Sequence, residues 1–356
     1  MACDPPKSDP ATDAKEGRVV EARVVEDATE RTPGSDPLLA TRKPLVPGPR
    51  PIATGGRAVD QLAWADWRLV GADSQGSSSV LLTWEDPEKD PRELANIPGR
   101  VQGLAPAPDG RRVAVEAAYP TDPERWSLDD PASLLVLELD SGRVHTLVGA
   151  TRGASLRGAC WSPDGTQLAV AALEDSEAEP RRPVVRVLDA DSGVTVAETP
   201  PALGLEPLRW SDDGLELRVA DPLELGRTQA YRWQPGVDEP APIDAVEWPS
   251  PDRGWTVQAV PGGIQVRRGQ DAPDTLEPAM GADATALDAW ARIGRPAWCG
   301  THHLAIQVED EVLALDLSSL RWRPLAPVGA APPRADRSGH RLVLQAGADP
   351  WWGWAP

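Results

Sequence analysis

The sequence predicts an all-β fold made of repeated antiparallel hairpins, and three observations lead to this prediction. First, a strand–turn–strand phrase recurs along the chain and is clearest at residues 160–170, CWSPDGTQLAV. Second, the turn markers of successive copies are spaced 39 to 55 residues apart: Trp67, Gly110, Gly165, Gly214, Gly254, Gly300 and Gly339. Third, a second hairpin follows the clear copies. Strand-only repeats of about 40 residues are typical of β-propellers, whose blades are four-stranded sheets.

The turn of the repeat has a physical explanation that involves no catalysis. Pro163 presets φ at the first corner, Asp164 accepts hydrogen bonds from nearby backbone N–H groups, and Gly165 takes a positive φ that a Cβ would strain. Other Asp-rich turns lack the spacing and the closing Glu of a calcium loop. We therefore expect turns rather than metal sites.

The repeats predict a single propeller over residues 49–356, with seven blades of about 44 residues each. Six blades are the alternative, if the first or the last copy is false. The C-terminus has no outer strand of its own after RLVLQAG and WWGW. We therefore expect the strand near Ile52 to join the last blade and close the ring, so that the termini leave no unpaired edge.

Residues 1–48 are predicted to be a disordered, Pro-rich tail. Residues 4–50 contain eight prolines and little hydrophobic periodicity. The segment 17–27, GRVVEARVVED, differs because it repeats Arg-Val-Val-Glu and is rich in β-branched residues. Two alternatives remain for it: an added strand on a sheet edge, or a weakly ordered part of the tail.

The composition is that of a globular protein with an acidic body. The net charge is −19, and residues 1–58 are neutral, with nine basic and nine acidic side chains. An acidic body repels phosphate, so nucleic acid is a poor partner. His302 and His303 are adjacent and would point to opposite faces of a strand, so they cannot bind one metal ion together. We expect no metal and no cofactor.

The hairpin WSPDG…LAV followed by VLD…SG resembles the TolB-type, WD-repeat-like propeller repeats of bacterial envelope proteins. The resemblance covers most of residues 50–345 and implies a propeller fold. An intact TolB carries a small α/β domain ahead of its propeller, which the 48-residue lead cannot form. The resemblance therefore carries over the fold and not TolB's particular role.

The first residues, MACDPPKSDP, resemble the mature start of a bacterial lipoprotein, in which the Cys carries the lipid. The resemblance implies lipid attachment at Cys3 and a location in the cell envelope, facing the periplasm. Only Met1 and Ala2 precede Cys3, with no charged or apolar segment of a signal peptide. The alternatives are a longer signal peptide that begins upstream, or a cytoplasmic protein with an accidental Cys3.

No catalytic motif of an enzymatic propeller is present. The sequence contains no G-x-S-x-G elbow, no S-x-D-x-G-x-T-W box, no phosphate loop and no zinc spacing. We therefore expect a non-enzymatic protein that binds other proteins or serves as a scaffold. The alternatives are a propeller that binds or acts on a small molecule in an acidic central channel, and a structural subunit of a larger assembly.

The candidate binding surface is formed by two long loops on neighbouring blades, residues 119–132 and 174–183. Both are predicted to join the second and third strands of their blades, and therefore to lie on one face of the ring. Trp126 stands beside Arg125 in the first loop, and Arg181 and Arg182 follow a run of carboxylates in the second. Trp and Arg are enriched at the energetic centres of protein interfaces. These four residues are the predicted partner-binding set.

Overall fold

The computed structural model describes most of the chain between residues 50 and 354, together with a short piece of the tail. The described residues are 23–24, 50–120, 130–152, 154–173, 182–202, 204–220, 228–243, 246–260, 263–271, 273–277, 297–299, 302–308, 311–319, 321–326, 334–335, 341–346 and 349–354. They form 29 β-strands, β1 to β29 in chain order. In this part of the chain there is no helix long and apolar enough to cross a membrane.

The strands form seven antiparallel sheets, which we call blades 1 to 7. Blade 1 contains β3–β6 (Val59–Ala65, Arg68–Gln75, Ser78–Trp84, Arg92–Pro98), and blade 2 contains β7–β10 (Arg100–Pro106, Arg112–Ala118, Ala132–Glu138, Val144–Val148). Blade 3 contains β11–β14 (Ser155–Trp161, Gln167–Leu173, Val184–Asp189, Thr195–Glu198). Blade 4 contains β15–β18 (Glu206–Ser211, Gly214–Ala220, Thr228–Trp233, Ala241–Ile243). Blade 5 contains β19–β22 (Glu247–Pro249, Trp255–Val260, Gly263–Arg268, Asp274–Glu277). Blade 6 contains β23–β26 (Ala297–Cys299, His303–Val308, Glu311–Asp316, Arg321–Ala326). Blade 7 contains β27–β29 (Arg334–Ala335, Arg341–Ala346, Asp349–Trp354). The tail strand β1 (Arg23–Val24) is added to blade 5, and β2 (Arg50–Pro51) to blade 7. This arrangement confirms the predicted all-β propeller fold.

The turns between the first and second strands confirm the predicted turn chemistry. The Gly165 N–H donates to the Ser162 carbonyl oxygen at 2.9 Å, and Gly165 has φ of 72°. The Asp164 carboxylate accepts from the Ser162 hydroxyl at 2.6 Å and from the Thr166 N–H at 3.0 Å. The turn of blade 5 differs in one detail. Arg253, with φ of 56°, occupies the left-handed position that Gly165 takes in blade 3. The Ser250–Asp252 half of the turn keeps its hydrogen bonds, and the glycine falls one residue later.

Apolar residues pack the first four blades against one another. One cluster joins blades 1 and 2, a second joins blades 2 and 3, and a third joins blades 3 and 4. Two tryptophans also fasten neighbouring blades. The Trp161 Nε1–H of blade 3 donates to the Ala105 carbonyl of blade 2 at 2.7 Å, and the Trp210 Nε1–H of blade 4 donates to the Cys160 carbonyl of blade 3 at 3.1 Å. Both indoles occupy the same repeat position, and so do both carbonyls.

The segment after β2 connects the first and last blades. In β2, Arg50 pairs with Trp352 and Pro51 with Trp351, as the predicted closure by an N-terminal strand requires. The next residues are held by blade 1: the Trp84 Nε1–H donates to the Ala53 carbonyl at 2.7 Å, and the Ala53 N–H donates to the Pro87 carbonyl at 2.8 Å. The count of seven blades and closure of the whole ring stay predictions that this pairing favours.

Part of the predicted tail docks as a strand. Arg23 pairs with Glu277 and Val24 with Leu276, so the second Arg-Val-Val-Glu copy extends the outer edge of blade 5. This pairing agrees with the added-strand alternative for residues 17–27. The rest of the predicted tail lies outside the described residues.

Deletion of residues 351–356 tests the closure. We expect the thermal unfolding temperature to fall by roughly 5 °C or more, because the deletion removes the strand residues that pair with both β28 and β2. Differential scanning calorimetry of the full and shortened chains measures the change. An unfolding temperature within about 1 °C of the full chain would support six blades.

Candidate functional site

The two predicted binding loops begin and end on the same face of neighbouring blades. We call this end of the ring, where the inner strands begin and the second strands end, the loop face. The base of the first loop is closed by a hydrogen bond from the Tyr119 N–H to the Pro131 carbonyl at 2.7 Å. At the second, the Ala202 N–H donates to the Pro183 carbonyl at 3.1 Å. Both loops therefore start from fixed backbone on blades 2 and 3.

The predicted site residues are only partly covered by the described residues. Arg182 is exposed and precedes the buried Pro183 at the base of the second loop. Arg125, Trp126 and Arg181 lie outside the described residues, as does Cys3. The partner-binding set therefore stays a prediction, with the anchor of its loops now located.

A polar repeat position near the inner end of the loop face was missed by the sequence analysis. The residue four positions before Trp64, Pro106, Trp161 and Trp210 is polar in each of the first four blades: Asp60, Gln102, Arg157 and Glu206. Alignment of the copies on the tryptophan rather than on the turn glycine reveals this pattern. Identical residues do not recur at the position, so a motif search could not detect it.

These polar side chains bond to neighbouring blades. Arg100 of blade 2 lies 3.7 Å from the Asp60 carboxylate of blade 1, measured from Nε to Oδ2. The Gln102 Nε2–H donates to the Leu156 carbonyl of blade 3 at 2.7 Å. Arg157 Nε lies 3.2 Å from Glu206 Oε1 of blade 4. The position therefore links inner strands laterally, and all four of its side chains are engaged by protein groups.

Blade 1 adds a buried carboxylate to this region. Asp73 is 1% exposed and lies 3.6 Å from Arg57, which also pairs with Glu93. Burial raises the pKa of the nearby Asp60 carboxyl, and the charge of Asp73 raises it further. A hydrogen bond from the Ser74 hydroxyl at 3.3 Å and the charge of Arg100 oppose this rise in pKa. Within the described residues, no group of three His, Cys, Asp or Glu side chains could hold a metal ion.

We call the opposite end of the ring the turn face. There, Arg112 of blade 2 bonds to the turn of blade 3. The Arg112 guanidinium donates to the Gly165 carbonyl at 2.8 Å and to Asp109 at 2.9 Å, and it lies over the Trp161 ring with 4.9 Å to the centroid. Trp67 is a large apolar side chain exposed on this face, with 42% of its surface accessible. Arg68 covers its ring at 4.7 Å. Trp67 offers an exposed tryptophan away from the predicted binding loops.

Comparison with solved structures shows the fold. The chain is 15% identical to a prolyl endopeptidase over 81% of this chain and 46% of that chain, with a TM-score of 0.55. It is 10% identical to the β-propeller domain of the Trilobed protease from Pyrococcus furiosus over 85% of this chain and 95% of that domain, with a TM-score of 0.53. It is 13% identical to the C-terminal WD40 domain of Sif2 over 85% of this chain and 82% of that chain, with a TM-score of 0.54. The chain therefore spans about half the length of the prolyl endopeptidase.

These similarities confirm a WD-repeat-like propeller. A TolB from Acinetobacter baumannii is 12% identical over 74% of this chain and 65% of that chain, with a TM-score of 0.46. No protein-family model matches the chain, and no curated protein matches its sequence. At these identities the comparisons show the fold alone.

Two asparagine substitutions are expected to change stability in opposite directions with pH. A carboxyl whose pKa is raised by folding stabilises the fold only at low pH, and this contribution is lost as the pH rises. Asp60→Asn should therefore raise the unfolding temperature at pH 7 and leave it unchanged near pH 3. Hydrogen bonds from Ser162 and Thr166 lower the pKa of Asp164, so its contribution is present at pH 7 and lost in acid. Asp164→Asn should lower the unfolding temperature at pH 7 only.

Calorimetry of both variants between pH 3 and pH 7 measures these shifts. The two substitutions remove the same charge, so each is the control for the other. Shifts in the same direction at pH 7 would contradict the burial argument for Asp60.

Proposed function

We propose that the protein is a non-enzymatic, protein-binding propeller whose loop face captures its partner. The observation that carries the proposal is that the described ends of the segments 119–132 and 174–183 lie on the same face of the neighbouring blades 2 and 3. The first loop contains Arg125 and Trp126, and the second contains Arg181 and Arg182. A rigid ring that presents adjacent loops with aromatic and guanidinium side chains suits recognition of a protein surface.

The alternative of a small molecule in the central channel has less support. All four side chains of the polar repeat position, Asp60, Gln102, Arg157 and Glu206, already contact groups of a neighbouring blade. Some structural neighbours are peptidases. The sequence of this chain contains no G-x-S-x-G elbow. We therefore retain the non-enzymatic function as our proposal.

One observation favours the alternative of a structural subunit. Val194, which directly precedes the outer strand β14, and Val196 within that strand are 62% and 51% exposed. Outer strands of propellers have one unpaired edge, and exposed β-branched residues there suit contact with a neighbouring subunit. This surface lies on the circumference of the ring, away from the inner ends of the blades.

Trp126→Ala tests the loop-face proposal. We expect affinity capture of the partner from the envelope fraction of the source cell to fall at least about tenfold, because truncation of an interface tryptophan commonly costs more than 1.4 kcal/mol. Trp67→Ala is the matched control, since it removes an exposed tryptophan from the turn face. Both variants should keep the wild-type unfolding temperature. Full capture by Trp126→Ala would shift the proposal to the outer edge of blade 3.

We also propose that Cys3 carries a lipid that tethers the propeller in the bacterial envelope, with a cytoplasmic location as the alternative. The support is the resemblance of MACDPPKSDP to a lipoprotein start and the Pro-rich segment that follows. In cells fed labelled palmitate, the wild type should incorporate the label and Cys3→Ser should lose it. Cys160→Ser is the control and should retain it. An unmodified Met1 in the mass spectrum of the native protein would exclude the tether.

A further inference from the structure

Blades 4 and 5 meet through polar faces, whereas the earlier blades meet through apolar ones. In the described residues, no apolar cluster contains side chains from both blade 4 and blade 5. Blade 4 packs its apolar residues toward blade 3, and blade 5 packs its apolar residues toward blade 6. The interface between them therefore lacks the interaction that joins the other well-described neighbours.

The face of blade 4 toward blade 5 is ionic. Strand register places Glu216, Arg218 and Arg232 at the positions where blade 3 presents Ala169, Ala171 and Val187 to blade 4. Glu216 is 1% exposed and is held from both sides within its own blade. It pairs with Arg209 Nε at 2.7 Å and with Arg232 Nη2 at 3.2 Å.

The face of blade 5 toward blade 4 is polar as well. Register places Thr256, Gln258 and Arg267 at the positions where blade 4 presents Leu215, Leu217 and Trp233 to blade 3. The leucines and the tryptophan are fully buried, whereas the three blade 5 residues are only partly buried. Apart from the buried Glu216, the polar side chains named on both faces are partly exposed, which indicates that water enters between these blades.

The indole that fastens earlier blades is absent at this interface. Trp161 and Trp210 each donate to a carbonyl of the preceding blade. Pro249 occupies the same repeat position in blade 5, next to the Trp248–Val257 pair, and proline has no side-chain donor. Blade 5 therefore cannot make the corresponding bond to the Arg209 carbonyl of blade 4.

A contact that does cross this interface is exposed to solvent. Arg253 of the blade 5 turn lies 3.4 Å from Asp212 of the blade 4 turn, and the two side chains are 76% and 81% exposed. Exposed ion pairs of this kind contribute little to stability and are weakened by salt. This contact cannot replace the missing apolar packing.

We infer that the interface between blades 4 and 5 is a hydrated seam at which the propeller opens first. Sub-global opening begins where few buried apolar contacts hold an element. The seam gives the propeller a defined site of local opening beside blade 4, whose other face is packed against blade 3. This inference concerns the described part of the ring and does not depend on what the loop face binds.

Hydrogen exchange of the full chain, followed by mass spectrometry, tests the seam. Second strands are compared because each is hydrogen-bonded on both sides within its own sheet. We expect protection of β16 (Gly214–Ala220) and β20 (Trp255–Val260) to be at least about tenfold lower than protection of β12 (Gln167–Leu173). Protection of the three strands within about twofold of one another would overturn the inference.

Two variants alter the seam in opposite directions. Pro249→Trp restores the missing indole and should raise protection of β16 and β20. Pro106→Trp, the same change at the same repeat position of blade 2, should leave β8 unchanged because an apolar cluster already closes that interface. Glu216→Gln should lower protection of β16 and β20, since it leaves Arg209 and Arg232 without their shared carboxylate.

Glu198→Gln is the matched control for Glu216→Gln, because Glu198 also pairs with an arginine, Arg186, but on the outer strand of blade 3. This pair of glutamine variants still tests the seam if Pro249→Trp does not fold. Equal effects of the two glutamine variants on β16 and β20 would overturn the inference.

Discussion

Burial of one sheet against the next is the interaction on which the rest of this structure depends. A four-stranded blade has two faces and cannot cover either by itself, so its apolar residues are stable only when another blade lies over them. In blades 3 and 4 this contact is made by small residues such as Ala169 on one side and large ones such as Trp233 on the other. The small residues let the sheets approach closely, and the large ones fill the remaining space. The ring follows from repetition of this contact.

The interfaces are not equivalent, and their differences can be explained residue by residue. Blades 2 and 3 combine an apolar cluster, the Trp161 indole bond and the Arg112 contacts. Between blades 4 and 5, the blade 4 face is charged, the blade 5 face is polar, and Pro249 stands in place of the indole. The same repeat therefore forms both tightly packed interfaces between blades and loosely packed ones. A rigid half suits the presentation of loops from blades 2 and 3, because loop positions are only as fixed as the strands that carry them.

The parts of the fold that were predictable from the sequence are those determined by short-range chemistry. Pro163, Asp164 and Gly165 define their turn within six residues, so the hairpin and its repeat were visible in the sequence. The polar inner position was not, because its partners come from the next blade, about 50 residues away, as for Arg157 and Glu206. The left-handed Arg253 was also missed, since a glycine stands beside it and glycine is the usual choice. Arg125 and Trp126, the predicted binding residues, stand in a stretch of sequence that matches no part of the repeat, so the repeat carries no information about their conformation.

The acidity of the chain also has a structural explanation in its turns. Asp164, Asp189, Asp252 and Asp316 each accept hydrogen bonds from hydroxyl or backbone N–H groups of their own turn, and each has a lowered pKa. A neutral Asn could accept fewer such bonds, so the repeat selects aspartate for its local geometry. Such turns recur on the turn face of blades 3, 5 and 6, so part of the negative charge there follows from turn geometry. The net charge of −19 is therefore weak evidence for a cationic partner, and recognition is better sought in side chains that the repeat does not explain.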